Sequence, residues 1–453
     1  MNLMSTRRSL LALAGIVILL AVTGGGCSRS RSRSMVLIVV DTVRADHLGT
    51  YGYDRPVSPN LDALAEQAAV FENAFAAATW TLPSVASMFT GLYPSQHDAG
   101  RPYEDERGDQ FSAIRATARV FPEVLRERGY ATGGIVNAPF LNQGFGFARG
   151  FDDYDWAPAR DSELRRADVT VDAALAWLDE HVDEPFFLFL HVFDAHRHYS
   201  APEPIRGRFT GQFADTYGAT LATLESRNRA EQDLDHRFLM AAYDEEIAFI
   251  DAQMGRFFEG MRSRGVLDQS TVFLTADHGE GFDEHGSSGH GHTLFNEELR
   301  VPLMVWGPEI EAGRYEDPVS LIDLEPTILE ATDSGVQTLG SGRSLWGLLT
   351  RGQPSRRRTL FAEWTNPGEL KAVIRWPFKA ILDPATGERW LYNLAEDPGE
   401  TINLANSRTA DFYEFQADLQ ALLRAEADDG EPGNRTAIDP KVLEALRSLG
   451  YLR

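Results

Sequence analysis

The 453-residue chain has one cysteine, three lysines and no apolar run of membrane-spanning length. Cys27 on its own excludes an internal disulfide framework and a thiolate metal site, so packing and bound metal must hold the fold. Lysine occurs only at Lys371, Lys379 and Lys441, which leaves everything before them with arginine as its full positive charge. Acids outnumber bases, 67 Asp and Glu against 43 Lys and Arg, for a formal net charge of −24. Such a surface repels nucleic acid and other polyanions at long range, which excludes nucleic acid as a partner. An anionic substrate must be drawn in by local positive charge.

What the chain does have begins at its N-terminus. Arg7 and Arg8 precede an apolar stretch over 10–22, about a dozen residues against the roughly 20 that span a bilayer. The tract Thr23-Gly24-Gly25-Gly26-Cys27 follows. Residues 1–26 are therefore expected to be a lipoprotein-type signal peptide. Cleavage before Cys27 leaves a lipidated N-terminus and an exported protein, membrane-anchored or periplasmic; Thr23 and Gly24 make the lipobox a loose match, and a plain signal peptide remains open. Residues 27–34, rich in Ser and Arg, read as a flexible tether.

Beyond the tether, apolar runs alternate with amphipathic stretches, the pattern of parallel strands joined by crossover helices. Strands are expected at 35–40, 131–136, 186–193, 272–276 and 302–306, in a central, mostly parallel α/β sheet sandwiched by helices. Asp41, Asp194 and Asp277 each follow one of these runs, where open α/β sheets build their sites. Ser58 with Pro59 opens a helix expected to run to about Val70, residues 169–181 and 241–261 are amphipathic, and a short helix over 83–89 is closed by Gly91. Residues 103–113 and 205–236 look like rim loops. A change of texture near 351 separates a catalytic domain, 35–350, from a smaller C-terminal α+β subdomain, 351–453.

Several motifs carry chemistry together. Asp41-Thr42-Val43-Arg44-Ala45-Asp46-His47-Leu48-Gly49 is followed by the run from Thr79 to Gly91 with Pro83, Ser84 and Thr90, then by Asp277-His278-Gly279-Glu280 and Arg300-Val301-Pro302. The end of the chain carries Leu391-Tyr392-Asn393-Leu394, Asp397-Pro398, Glu400 and Asn403-Leu404. In this order and over this length, the chain resembles the sulfatase family of the alkaline phosphatase superfamily. The resemblance implies that fold, a divalent metal and ester hydrolysis.

The departures from that family are specific. Thr81 stands where a sulfatase carries the Cys or Ser that is oxidised to formylglycine, and a secondary alcohol lacks the CH2 that oxidation needs. Val85 replaces the Arg that supports the aldehyde hydrate, and Thr42 stands where many members have a second metal-binding Asp. The resemblance then implies a ligand set of Asp41, Thr81, Asp277 and His278, suited to four-coordinate Zn or Mn, with Ca still possible. Members with a Thr nucleophile, such as nucleotide pyrophosphatase/phosphodiesterases, use this kind of set. Thr81 has a second reading, as an ordinary helix N-cap.

Sulfatases also place two lysines in the catalytic domain, and this chain has none there. Histidines fill the places: Asp194-Ala195-His196-Arg197-His198 and His290-Gly291-His292. The resemblance offers two arrangements. Asp194, His198 and His292 hold a second metal about 4 Å from the first, or a single metal works with His196 as acid and His292 as substrate contact. The expected function is a metal-dependent hydrolase acting on an anionic phosphate or sulfate ester through a covalent Thr81 intermediate, with phosphate favoured. Sulfuric ester hydrolysis, phosphoglycerol-type headgroup transfer and a non-catalytic glycan-binding relative are the alternatives, and the ester carrier, small molecule, glycan or lipid headgroup, is open.

Overall fold

The computed structural model describes residues 33–105, 108–156, 165–213, 236–354, 358–365 and 369–427, with Val442. The expected signal peptide, the lipid anchor and all of the tether but its last residues lie outside them, as does most of the loop 205–236. Among the described residues no helix is long and apolar enough to cross a membrane.

Eight strands form the central sheet: β1 (Ser34–Val40), β2 (Ala69–Phe71), β3 (Ala131–Val136), β4 (Asp153–Trp156), β5 (Phe186–Val192), β6 (Ser270–Thr275), β7 (Leu303–Trp306) and β8 (Gly313–Tyr315). Their order is β8-β2-β7-β6-β1-β5-β3-β4. From β6 to β4 the neighbours run parallel, and only β7 is reversed against both β6 and β2. Strands β1, β5 and β6 are apolar or small throughout, except for His191 in β5, because helices cover both faces; every residue of the three is buried. The alternation of apolar runs and amphipathic stretches made this mixed, mostly parallel sheet readable.

Two boundaries differ from expectation. The helix opened by Pro59, α1, stops at Ala65, and the apolar residues after it form β2. A short apolar stretch at a helix end does not distinguish one more turn from an edge strand, and here pairing with β7 and β8 decides it. The helix expected from Pro83 begins earlier, at Thr81, and α2 (Thr81–Thr90) is closed by Gly91 in the left-handed conformation.

Two long helices pack beside the sheet: α3 (Ala167–His181), against β3 and β5, and α4 (His236–Ser263), against α3 and α1. A short one, α5 (Asn296–Leu299), precedes Arg300-Val301. The C-terminal subdomain is a four-stranded antiparallel sheet of β9 (Leu360–Trp364), β10 (Leu370–Arg375), β11 (Phe378–Leu382) and β12 (Arg389–Asn393). It packs under α6 (Thr409–Ala427), with Phe412, Phe415 and Leu419 against Val373, Ala380 and Leu391.

Candidate active site

Strand register brings the first acids together. Val39 lies opposite Thr275, so two positions further along both chains Asp41 comes beside Asp277 at the carboxyl end of the sheet. Both are fully buried, as is His278. Their ligand-type atoms lie within 4.8 Å of one another, and among the described residues no other group of His, Asp or Glu converges this way. His278 Nδ1 is 2.9 Å from the Gly279 carbonyl, which fixes Nδ1 as the protonated nitrogen and leaves the Nε2 lone pair facing the acids. That nitrogen is 3.5 Å from Asp277 Oδ2 and 3.7 Å from Asp41 Oδ1.

Those two carboxylate oxygens are buried and accept no hydrogen bond. Burial, and next the Asp277 carboxylate, raise Asp41 well above the ordinary carboxylate range. A pair of buried acids with an inward-facing imidazole lone pair is a donor set built for a divalent cation, the ion that sulfatases generally use.

Thr81 points at the same spot. It is the first residue of α2, Trp80 holds the N-cap position, and no side chain caps the helix, so the N-cap reading does not hold. The Thr81 hydroxyl instead lies 3.3 Å from Asp41 Oδ2 and 3.4 Å from His278 Nε2. Ser84 Oγ, one turn on, donates to the Asp277 carbonyl at 2.6 Å and locks the helix start to the end of β6. The positive end of α2 therefore faces the acids. Thr42 does not join them: its hydroxyl donates to the Ala195 carbonyl at 2.7 Å. Its backbone sits at φ 60°, an uncommon conformation for a β-branched residue, pinned by the Tyr243 hydroxyl of α4 on its carbonyl at 2.7 Å.

A belt of imidazoles surrounds this centre. The His290 ring packs tilted against His278 at 4.4 Å, centroid to centroid, and edge-on to His196 at 4.8 Å, and its Nδ1 is 3.3 Å from the buried Glu280 carboxylate. His196 lies flat on Phe193 at 4.3 Å, with Nδ1 2.6 Å from the Arg197 carbonyl. Burial drives both His196 and His290 well below the ordinary histidine range, so each is neutral at pH 7. The loop bearing His290 lies in van der Waals contact with the Thr79-Trp80 segment, where a Cβ on Gly291 would stand 3.4 Å from Trp80 Cβ. Buried Glu298 of α5 fixes that loop by accepting from Gly291 N, His292 N and Thr293 Oγ1.

The second metal group does not assemble. Asp194 Oδ1 accepts from Ala167 N at 2.9 Å and so serves the first turn of α3, and burial pushes its carboxyl up to about 7. His198 is half-buried and His292 exposed. Register explains the error: Val40 pairs with Val192, which sets Phe193 beside Asp41 and leaves Asp194 one residue out of phase, facing the other way. The same register exposes a residue missing from the sequence reading. His191 pairs with Val39 and shares a face with Asp41, and its Nε2 lies 3.4 Å from Asp41 Oδ2. A histidine inside a seven-residue apolar strand, an even number of places before the site, was the signal. Glu280 was visible in its motif but had no assigned role.

Comparisons with known proteins agree with this architecture. The sulfatase family profile matches residues 33–334. An arylsulfatase of Clostridium perfringens is 24% identical over 475 residues, covering 88% of this chain and 95% of the relative. The phosphonate monoester hydrolase of Agrobacterium radiobacter superposes with a TM-score of 0.70 at 22% identity, over 87% of this chain and 96% of that one. A protein solved in complex with its substrate D-glucosamine-2-N,6-O-disulfate gives 0.70 at 18%, over 89% and 100%. The chain belongs to the sulfatase family of the alkaline phosphatase-like superfamily and is a hydrolase of sulfuric or phosphoric esters.

Proposed function

We propose that the protein hydrolyses phosphate esters through a covalent intermediate on Thr81. One observation carries this reading: the Thr81 hydroxyl is not spent on capping α2 and instead faces Asp41, Asp277 and His278. Those three residues with Thr81 hold the cation, Zn or Mn by their donor set. When bound, it supplies positive charge that makes a coordinated hydroxyl far more acidic. Thr81 attacks phosphorus as the ester oxygen leaves, and Asp41 Oδ2 is the acceptor placed to take the hydroxyl proton. Water must then cleave the Thr81 ester at phosphorus. His196, neutral and with its Nδ1 hydrogen on the Arg197 carbonyl, has only an Nε2 lone pair to offer, so it serves as the base that takes a proton from that water, while the leaving oxygen departs as the anion and is protonated by solvent.

Sulfate esters are the second reading, favoured by the disulfated glucosamine substrate of one structural neighbour and the arylsulfatase activity named for the Clostridium relative. The formylglycine route is closed to a threonine, which favours phosphate. We propose in addition that residues 1–26 direct export and that Cys27 carries a lipid, which places the site outside the cytoplasm.

Metal analysis of the purified protein, paired with turnover of an aryl phosphate, an aryl phosphodiester and an aryl sulfate, tests the assignment. Phosphate-type esters are expected to be turned over best, and Thr81→Ala to lose on the order of 10³-fold in kcat. Best turnover of aryl sulfate would reverse the order of substrates, and a Thr81→Ala variant that keeps its rate would remove the nucleophile.

A further inference from the structure

Among the described residues, the lysines and the arginine of the metal loop are committed to carboxylates rather than to an anionic substrate. Lys379 is fully buried against Glu400, and Lys371 against Glu363, both in the C-terminal sheet. Arg44, next to the metal loop, is engaged by Asp46, Glu284 and the Glu280 carbonyl.

We infer that Arg197 is the anion-binding residue of this site, its guanidinium gripping the charged oxygens of the bound ester. The inference rests on the Thr81 site proposed above and names the residue that recognises its substrate.

Arg197 follows His196 directly and is half-buried. Its backbone carbonyl takes the His196 Nδ1 hydrogen at 2.6 Å, which ties the position of the arginine to the imidazole belt. Its Nη2 donates to Ser288 Oγ at 2.8 Å, in the hairpin strand just before His290. His290 in turn touches His278, whose Nε2 is 3.4 Å from the Thr81 hydroxyl. Ser288 lies two residues before His290, so its hydrogen bond with Nη2 holds the guanidinium against the loop whose imidazole packs on His278. A guanidinium offers a planar fork of donors that matches a tetrahedral oxyanion in bidentate fashion, which an ammonium does not.

The test uses the metal-loaded enzyme with Arg197→Ala, Arg197→Lys and Ser288→Ala. KM and kcat are read on an aryl phosphate, and inorganic phosphate binding is read by calorimetry. A charge-assisted contact of this kind corresponds to about 10- to 100-fold in affinity. Arg197→Ala is expected to raise KM and the phosphate Kd by that factor while kcat changes less. Arg197→Lys should recover part of the loss, because it keeps the charge and loses the fork. Ser288→Ala should give a smaller loss of the same kind. If Arg197 only braces the hairpin, Ser288→Ala and Arg197→Ala will fall equally in kcat and leave phosphate binding alone, and the assignment is overturned. The phosphate titration is repeated in Thr81→Ala. Wild-type turnover in that variant would remove the nucleophile and leave the Arg197 result standing, whereas unchanged phosphate affinity in Arg197→Ala would remove the clamp and leave Thr81 standing.

Discussion

Asp41 is the residue on which the site turns, and its surroundings are not all ligands. On one side Thr81 and His278 face it, and on the other His191 Nε2 lies 3.4 Å from its Oδ2 inside a strand with no exposed atoms. Burial holds His191 down at about 4, so a neutral imidazole lies beside the carboxylate at pH 7. Groups in that position orient a metal ligand, and their loss typically costs about 10- to 100-fold in metal affinity. His191→Ala is expected to weaken Zn or Mn binding by that factor in a competition titration, with Thr81 and the other ligands untouched. Unchanged affinity would make His191 a packing residue only. The sequence made Asp41, Thr81, Asp277 and His278 readable because each stands at a fixed place in a motif. It hid His191 because only the pairing of β1 with β5 reveals that the two side chains share a face. Asp194 was misread for the same reason in reverse: a position after a strand is visible in sequence, and its phase against the neighbouring strand is not.

Elements hold the histidine loop from behind. Helix α5 presents Glu298 to Gly291, His292 and Thr293, and burial raises that carboxyl to about 8. The helix is itself tied to the C-terminal sheet: Glu400 accepts from Asn296 N at 2.6 Å, and Lys379 Nζ donates to Asn296 Oδ1 at 3.0 Å and forms an ion pair with Glu400 at 2.8 Å. This gives the Asp-Pro and Glu of the C-terminal pattern a physical role, since Pro398 also accepts from Asn296 Nδ2. The role was invisible in sequence because about 100 residues separate the partners. Removing one member of a buried ion pair strands the other, at a cost of about 3–5 kcal/mol, whereas replacing both with apolar residues is near neutral. Lys379→Met is therefore expected to lower unfolding stability by about that amount in urea titrations, and Lys379→Met with Glu400→Leu to recover most of it. A single variant as stable as wild type would show that the pair contributes nothing to joining sheet and loop.

For the whole molecule, the excess of acid and the buried centre make one quantity decisive, the difference between the protein with and without its cation. The chain carries −24 overall, and at the heart of its sheet Asp41 and Asp277 each keep a carboxylate oxygen with no hydrogen-bond donor. Folding without a cation must either leave those oxygens unsatisfied or protonate one of them, and both are costly. A cation that binds only the folded state, at 100 times its Kd, stabilises by about 2.7 kcal/mol. For a chain of this size that corresponds to a few degrees of Tm. Chelation should therefore lower the Tm by about 3 °C, and added Zn or Mn should restore it. Asp277→Asn separates the contribution of the ion from that of the acids. Without metal, the variant is relieved of one buried charge and should melt at or above the chelated wild type. With metal, it has lost a ligand and should gain little. An Asp277→Asn protein that melts well below chelated wild type, or one that gains as much from metal as wild type does, would mean that these acids are held by something other than a cation.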